Sequence, residues 1–272
     1  MNSLPSRAAI GVFDSGFGGL TVLKELVALI PSADYLYFGD TARLPYGSKS
    51  VETVGRYAVE ATHFLEQQGA NLLVIACNTA TALALDQIKR AAHVPVIGVV
   101  EPGAEQASSA SKNRRVVVIG TEATVSSHAY RKALEQRGMA AREKACPLLV
   151  PLVEEGWVEH PVTEQVAGIY LQDAFGDGFQ GADVLVLGCT HYPLIKPLLR
   201  RVAPAHVSIV DSAHSTAKAV AGKVGDFYKA LDRRGQPTLK FFATDSVEKF
   251  RRMGPNFLGH PVNSVEHVDL KE

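Results

Sequence analysis

Two cysteines, Cys77 and Cys189, each end a short apolar run, and each is followed by small polar residues. Leu72–Ala76 reads Leu-Leu-Val-Ile-Ala into Cys77-Asn78-Thr79, and Val184–Gly188 reads Val-Leu-Val-Leu-Gly into Cys189-Thr190-His191. Apolar runs of this length read as buried strands. Each thiol then sits at the carboxyl end of a strand, where open α/β sheets bind ligands. If a helix starts there, its unpaired N–H groups and positive dipole end favour a thiolate. Two such thiols facing one substrate suit a reaction that needs a proton base on each side of one carbon. For either cysteine alone the competing reading is a small, inert, buried hydrophobe; the paired context argues against it. Cys146, between Ala145 and Pro147 with no polar followers, keeps the inert reading.

Other residues gather around the same two strand ends. Asp14-Ser15-Gly16-Phe17-Gly18-Gly19 follows an apolar run whose end places the Asp14 carboxylate toward a ligand, able to orient a base or hold an ammonium group. The segment is not a dinucleotide fingerprint, because Thr21 stands where the third glycine belongs. Nor is it a hydrolase nucleophile elbow, since Phe13 and Phe17 flank Ser15. A plain strand-to-helix turn accounts for its glycines. His191, two residues after Cys189, offers acid–base coupling to that thiol, although a lone histidine is more often a structural hydrogen-bonder. Glu154 and Glu155 form a carboxylate pair read as a loop, with solvated charge as the default. Asp40-Thr41-Ala42-Arg43-Leu44-Pro45-Tyr46-Gly47 is a fixed, partly polar loop.

The elements that must carry these residues alternate between strand-like and helical runs, the signature of an α/β fold. Strands are expected at Ala8–Phe13, Tyr35–Phe38, Leu72–Ala76 and Val96–Val100, with helices at Leu20–Leu29, Val51–Gln68 and Thr79–Ala92 and a loop over Gly39–Ser50. The order then recurs, with strands at Arg115–Ile119, Leu148–Val150 and Val184–Gly188 and helices at Ser127–Arg137 and Val162–Ala174. The cysteine segments are 112 residues apart, from 77 to 189, and Val12-Phe13-Asp14-Ser15 stands 106 residues before Val118-Ile119-Gly120-Thr121. Offsets this close point to an internal duplication with a small insertion. A helix (Ala213–Leu231), a loop (Arg233–Pro237), a strand (Leu239–Phe242) and a helix (Val247–Met253) have no counterpart between the copies. They are expected to return to the first half. The expectation is two pseudo-symmetric α/β domains with mainly parallel central sheets, 1–98 plus 210–272 and 99–209, and a site in the cleft between them.

Composition narrows the function classes. At 272 residues with 46% apolar and 21% charged side chains, a sizeable core is expected. Lys plus Arg and Asp plus Glu both total 28, so nothing in the charge attracts nucleic acid or a membrane surface. No apolar run approaches the ~18 residues of a membrane span, and Met1–Ala9 lacks a secretory layout. A cytoplasmic enzyme is expected. Three cysteines without a CxxC pair, and nine histidines without HExxH spacing, predict neither a disulfide framework nor a metal site.

Five motifs in register carry a resemblance. Asp14–Gly19, Gly39–Gly47, Ala76-Cys77-Asn78-Thr79-Ala80, Pro151-Leu152-Val153-Glu154 and Gly188-Cys189-Thr190-His191-Tyr192-Pro193 resemble those of the bacterial glutamate racemases of the aspartate/glutamate racemase family. The resemblance implies a cofactor-independent isomerase that interconverts L- and D-glutamate to supply D-glutamate for peptidoglycan, and hence for cell-wall biogenesis and cell shape. It implies two pseudo-symmetric α/β domains and, commonly, a homodimer. It assigns Cys77 and Cys189 as the two bases, with Asp14, Glu154 and His191 in support, and substrate contacts at Asp14, Ser15, Tyr46, Gly47, Asn78, Thr79, Thr190 and His191. Three other readings stand beside it. They are a sister racemase for aspartate or a hydantoin, a thiol hydrolase or transferase using Cys189 and His191 covalently, and a two-lobed binding protein with no catalysis.

Overall fold

The computed structural model describes residues 9–229 and 237–270. Its strands are β1 (Ala9–Asp14), β2 (Asp34–Gly39), β3 (Ala70–Ile75), β4 (Val96–Gly98), β5 (Arg115–Gly120), β6 (Ala140–Ala145), β7 (Val184–Gly188), β8 (Ser208–Asp211), β9 (Leu239–Ala243) and β10 (Glu266–His267). Between them run α1 (Leu20–Leu29), α2 (Val51–Gln67), α3 (Asn78–Ala91), α4 (Val100–Ala110), α5 (Glu122–Ser126), α6 (Ala129–Glu135), α7 (Leu149–Glu154), α8 (Pro161–Ala174), α9 (Lys196–Val202), α10 (Ser212–Lys229) and α11 (Val247–Leu258).

The strands form two sheets, in the orders β10-β9-β2-β1-β3-β4 and β6-β5-β7-β8, and every recorded pairing is parallel. The order 2-1-3-4 of the first sheet therefore repeats as 6-5-7-8 in the second. Parallel strands need a covering layer on both faces, which explains why every residue of β1, β2 and β7 is buried. One apolar cluster runs through both halves, from Val12 and Phe17 to Leu185 and Tyr192, and includes Phe250 and Phe257 of α11. Separate clusters fill the other face of each sheet. β9 pairs with β2, so the C-terminal segment returns to the first sheet. β8 belongs to the second sheet and ends at Asp211, so the strand runs past residue 209.

Several elements depart from the sequence expectations, each for a local reason. Val96–Val100 is not a single strand: β4 stops at Gly98, and Val100 opens α4. Pro102 in its first turn lacks only an N–H that has no helical partner there, and Glu101 suits the positive helix end. The helix expected over Ser127–Arg137 is the shorter α6, which begins only after His128, in a left-handed conformation (φ 56°), separates it from α5. Leu148–Val150 is not a strand; the chain there enters α7, with Pro151 in the first turn. The strand of this stretch is β6, Ala-Ala-Arg-Glu-Lys-Ala, a charged edge strand whose composition hides it. Glu154 is consequently the last residue of a helix rather than a loop residue. The Gly39–Ser50 loop contains a 3₁₀ turn at Tyr46–Ser48 after a cis Leu44–Pro45 bond. α11 continues past Met253 through Pro255 to Leu258, and stops at Gly259, which has the left-handed backbone (φ 87°) of a helix cap. Ala8, the end of the helix placed at Ala213–Leu231, and most of the Arg233–Pro237 loop lie outside the described residues. Among the described residues no helix is long and apolar enough to cross a membrane.

Candidate active site

β1 and β3 are neighbours, and their carboxyl ends deliver Asp14-Ser15 and Cys77; β5 and β7 are neighbours, and theirs deliver Thr121 and Cys189. Both thiols, with Ser15, Tyr46, Gly47, Asn78, Thr79, Glu154, Thr190 and His191, line one cavity of about 330 Å³, a volume suited to a small molecule. Asp14 is the exception among the residues singled out in the sequence: it is buried just behind this wall.

The two thiols have different surroundings. Cys77 caps the N-terminus of α3, where the Ala80 N–H donates to its Sγ at 3.4 Å, and Ser15 Oγ lies 3.6 Å away. Those donors favour a thiolate, but burial and then the Asp14 carboxylate prevail and push the Cys77 thiol up to about 12. At neutral pH Cys77 keeps its proton. Burial also raises the Asp14 carboxyl, against the opposing charge of His191 and the backbone N–H groups of Gly16, Gly19 and Ser15. One Asp14 oxygen accepts from the Gly16 N–H at 3.0 Å, and the other has no hydrogen-bond partner among the described residues.

Cys189 does not open an α-helix, contrary to expectation. It is followed by a turn and a 3₁₀ segment, Tyr192–Ile195, because Pro193 lacks the N–H that would make an α-helical bond to the Cys189 carbonyl, and the Tyr192 N–H donates there instead at 3.2 Å. Its partner is a side chain instead. His191 Nδ1 lies 3.9 Å from Cys189 Sγ, His191 Nε2 lies 3.2 Å from Glu154 Oε1, and Lys249 Nζ donates to Glu154 Oε2 at 2.9 Å. Burial resists charging of His191, yet the hydrogen bonds to Cys189 and Glu154 carry it up to about 10. The imidazole is therefore protonated at neutral pH. Burial likewise works against the Glu154 carboxylate, but His191 and Lys249 together hold it below its usual range. The histidine ring stands edge-on to Phe257 (5.3 Å) and beside Phe17 (6.3 Å), which fixes its plane.

The binding walls are held by buried polar contacts. Tyr46 donates to Asp40 at 2.5 Å, and Thr244 donates to the other Asp40 oxygen at 2.9 Å, which ties the Tyr46-Gly47 loop to β9. A Cβ at Gly47 would lie 3.0 Å from Thr121, so this loop touches the opposite half directly. Tyr130 donates to Asn78 Oδ1 at 2.6 Å, and Asn78 Nδ2 donates to Ser212 at 3.4 Å. Thr79, Thr121 and Thr124 form a hydroxyl cluster across the cleft, with Thr79 3.0 Å from Thr121.

Sequence reading alone did not find Thr121, Tyr130, Ser212, Phe257 or Lys249. The duplication carried a signal for Thr121, since it corresponds to Ser15; the other four lie outside any motif. Cys146 is buried and absent from the cavity wall. Among the described residues no group of three or more His, Cys, Asp or Glu side chains could share a metal ion. The cavity wall carries hydroxyl and amide side chains beside the two sulfur atoms, which can take up and give protons.

Comparison with known proteins points the same way. The sequence model of the family described as Asp/Glu/Hydantoin racemase matches residues 10–220. The glutamate racemase of Koribacter versatilis is 64% identical, with 97% of this chain and 98% of that protein covered. The glutamate racemase of Francisella tularensis, solved in complex with D-glutamate, superposes with a TM-score of 0.89 at 35% identity, covering 98% of this chain and 99% of the other. That of Thermus thermophilus, solved in complex with β-chloro-D-alanine, gives 0.87 at 44% identity, covering 98% and 99%.

Proposed function

The chain belongs to the Asp/Glu/Hydantoin racemase family, and on that footing we propose that it interconverts L- and D-glutamate by passing the α-proton between Cys77 and Cys189. The observation that carries this reading is the pair of thiols, one from each sheet, on the wall of a single cavity, with unlike groups behind them.

The unlike groups give the resting enzyme its proton arrangement. Cys77 holds a proton because its thiol is pushed up to about 12. In this state Cys189 is the base, its sulfur 3.9 Å from an imidazolium that Glu154 holds from the far side. A glutamate enantiomer presenting its α-hydrogen to Cys189 loses that proton to the thiolate. The Cys77 thiol delivers its own proton to the opposite face of the same carbon. The product leaves with inverted configuration, Cys77 is now the thiolate and Cys189 the thiol, and the reverse reaction restores the first state. In the second state Ser15 and the Ala80 N–H stabilise the Cys77 thiolate. Asp14 stands behind this pair, its own carboxyl raised by burial.

Removing an α-proton builds charge on the α-carboxylate, and stabilising donors must already point there. Backbone N–H groups at the start of α3, with the Asn78 and Thr79 side chains, bind one carboxylate. Ser15, Tyr46-Gly47 and Thr190-His191 hold the rest of the substrate, and Asp14 acts from behind Ser15. Closing the two halves expels water and strengthens every such contact.

In the same reading the enzyme acts in the cytoplasm on free glutamate, supplies D-glutamate for peptidoglycan and works without a cofactor. A homodimer belongs to it as well, supported by exposed Val162 and Ile169, seven residues apart along α8. The test is circular dichroism of D-glutamate incubated with the purified protein and no added cofactor. The signal should decay to zero, whereas D-aspartate should hold its signal. An unchanged glutamate signal would refute the proposal.

A further inference from the structure

The C-terminal segment has no counterpart in the duplicated halves, yet its helix α11 reaches the Cys189 side of the site and leaves the Cys77 side alone. Lys249, in the first turn of α11, donates to Glu154 Oε2 at 2.9 Å while the other Glu154 oxygen faces His191 at 3.2 Å. Phe257 of the same helix packs edge-on against that histidine at 5.3 Å, and the Lys249 ammonium lies 5.3 Å from the ring of Phe17, which packs beside Phe257 at 5.9 Å. Around Cys77 the contacts are Ser15 Oγ and the Ala80 N–H, with Asp14 the charged group that raises it. One thiol thus stands at the end of a row of ionisable partners, Lys249, Glu154 and His191, and the other does not.

We propose that Lys249 is a positioning residue of the reaction: it clamps Glu154 so that His191 stays charged and aimed at Cys189. The inference rests on the two-cysteine racemase reading. α11 packs on α1, with Phe250 against Tyr37 of β2 and Phe241 of β9, whereas Glu154 ends α7 beside the second sheet. The contact forms when the halves are together, so it joins closure of the site to activation of one thiol. Freed of Lys249, the Glu154 carboxylate turns toward water, and the imidazolium loses the anion that fixes its ring. An ion pair whose lysine is 38% exposed contributes little to stability. Its loss appears in the rate.

Steady-state racemisation in both directions, with a thermal melt for each protein, tests this on Lys249→Met, Lys249→Arg, Glu154→Gln and the Lys249→Met/Glu154→Gln pair. Lys249→Met should lower kcat about tenfold in each direction, the scale of one charge-assisted hydrogen bond, with KM within about twofold. Lys249→Arg should restore kcat to within about threefold. In the Glu154→Gln background Lys249→Met should change kcat by less than about twofold, because the two act as one unit. A kcat within about twofold of wild type in Lys249→Met overturns the proposal, as does a full additional loss in the Glu154→Gln background. If Lys249→Met melts prematurely, Glu154→Gln and Lys249→Arg still decide it: a wild-type kcat in the former overturns it. Wild-type protein that leaves glutamate's optical signal unchanged would instead refute the racemase reading itself.

Discussion

Replacing Gly18 by alanine places a methyl group where the two halves of the site meet. A Cβ there would stand 2.6 Å from His191 Nδ1 and 2.7 Å from its Cε1, and closer still to Thr190 Oγ1. Ordinary carbon contacts lie at ~3.5–4.0 Å, so these atoms must retreat by about 1 Å. Both are tethered where they stand. Thr190 is buried with its carbonyl accepting from Thr21 Oγ1, which also donates to Gly18 O, and His191 is held by Phe257, Phe17 and Glu154. Overpacking of this kind costs ~1–3 kcal/mol of stability. A 1 Å misplacement of a reacting group costs ~100-fold in rate, equivalent to ~2.7 kcal/mol of transition-state stabilisation. The expected Gly18→Ala protein is folded, has a lowered melting temperature, and shows a kcat/KM reduced about 100-fold in both directions. The assay is circular dichroism of each glutamate enantiomer beside a thermal melt. A folded variant with kcat/KM within about twofold of wild type would refute the argument that this junction sets His191.

Two further outcomes follow from the buried partners. The folded-state pKa of His191, about 10, lies above its ordinary value, so its ion pair stabilises the protein fully below pH ~6.5 and progressively less as pH rises through 10. Urea titrations should therefore show wild type losing stability across that window relative to His191→Asn, and parallel curves would contradict the assignment. Tyr130→Phe removes the 2.6 Å hydrogen bond to Asn78 Oδ1 and leaves a buried acceptor unpaired, at ~1–3 kcal/mol. With the Asn78 amide released, KM for glutamate should rise more than kcat falls.

The sequence reveals this fold where local signals agree with tertiary context. β7 was legible to the residue because four aliphatic residues and a glycine between a polar loop and Cys189 read as a buried strand. β6 was not, since Arg142, Glu143 and Lys144 on an edge strand carry no apolar signature. The starts of α4 and α7 were missed as well: Pro102 and Pro151 fall in their first turns, where a missing N–H costs nothing. At the site, the cysteines stood out because the chain repeats their context. Glu154 looked like solvated surface until α7 turned it onto His191. Lys249 could not be read at all, because 95 residues separate it from Glu154 and no motif joins them. Placement of Cys77 at a helix start was legible from strand–Cys–Asn–Thr, whereas the same inference failed at Cys189 because Pro193 intervenes.

Isotope tracing in heavy water reaches the chemistry most directly. L-glutamate converted by the wild-type enzyme in deuterated solvent should yield D-glutamate bearing deuterium at the α-carbon, with little label in the remaining L-glutamate at early times. Cys77→Ala and Cys189→Ala should each yield no D-glutamate. Product that retains its original α-hydrogen, or either variant still inverting its substrate, would contradict transfer between two sulfur atoms.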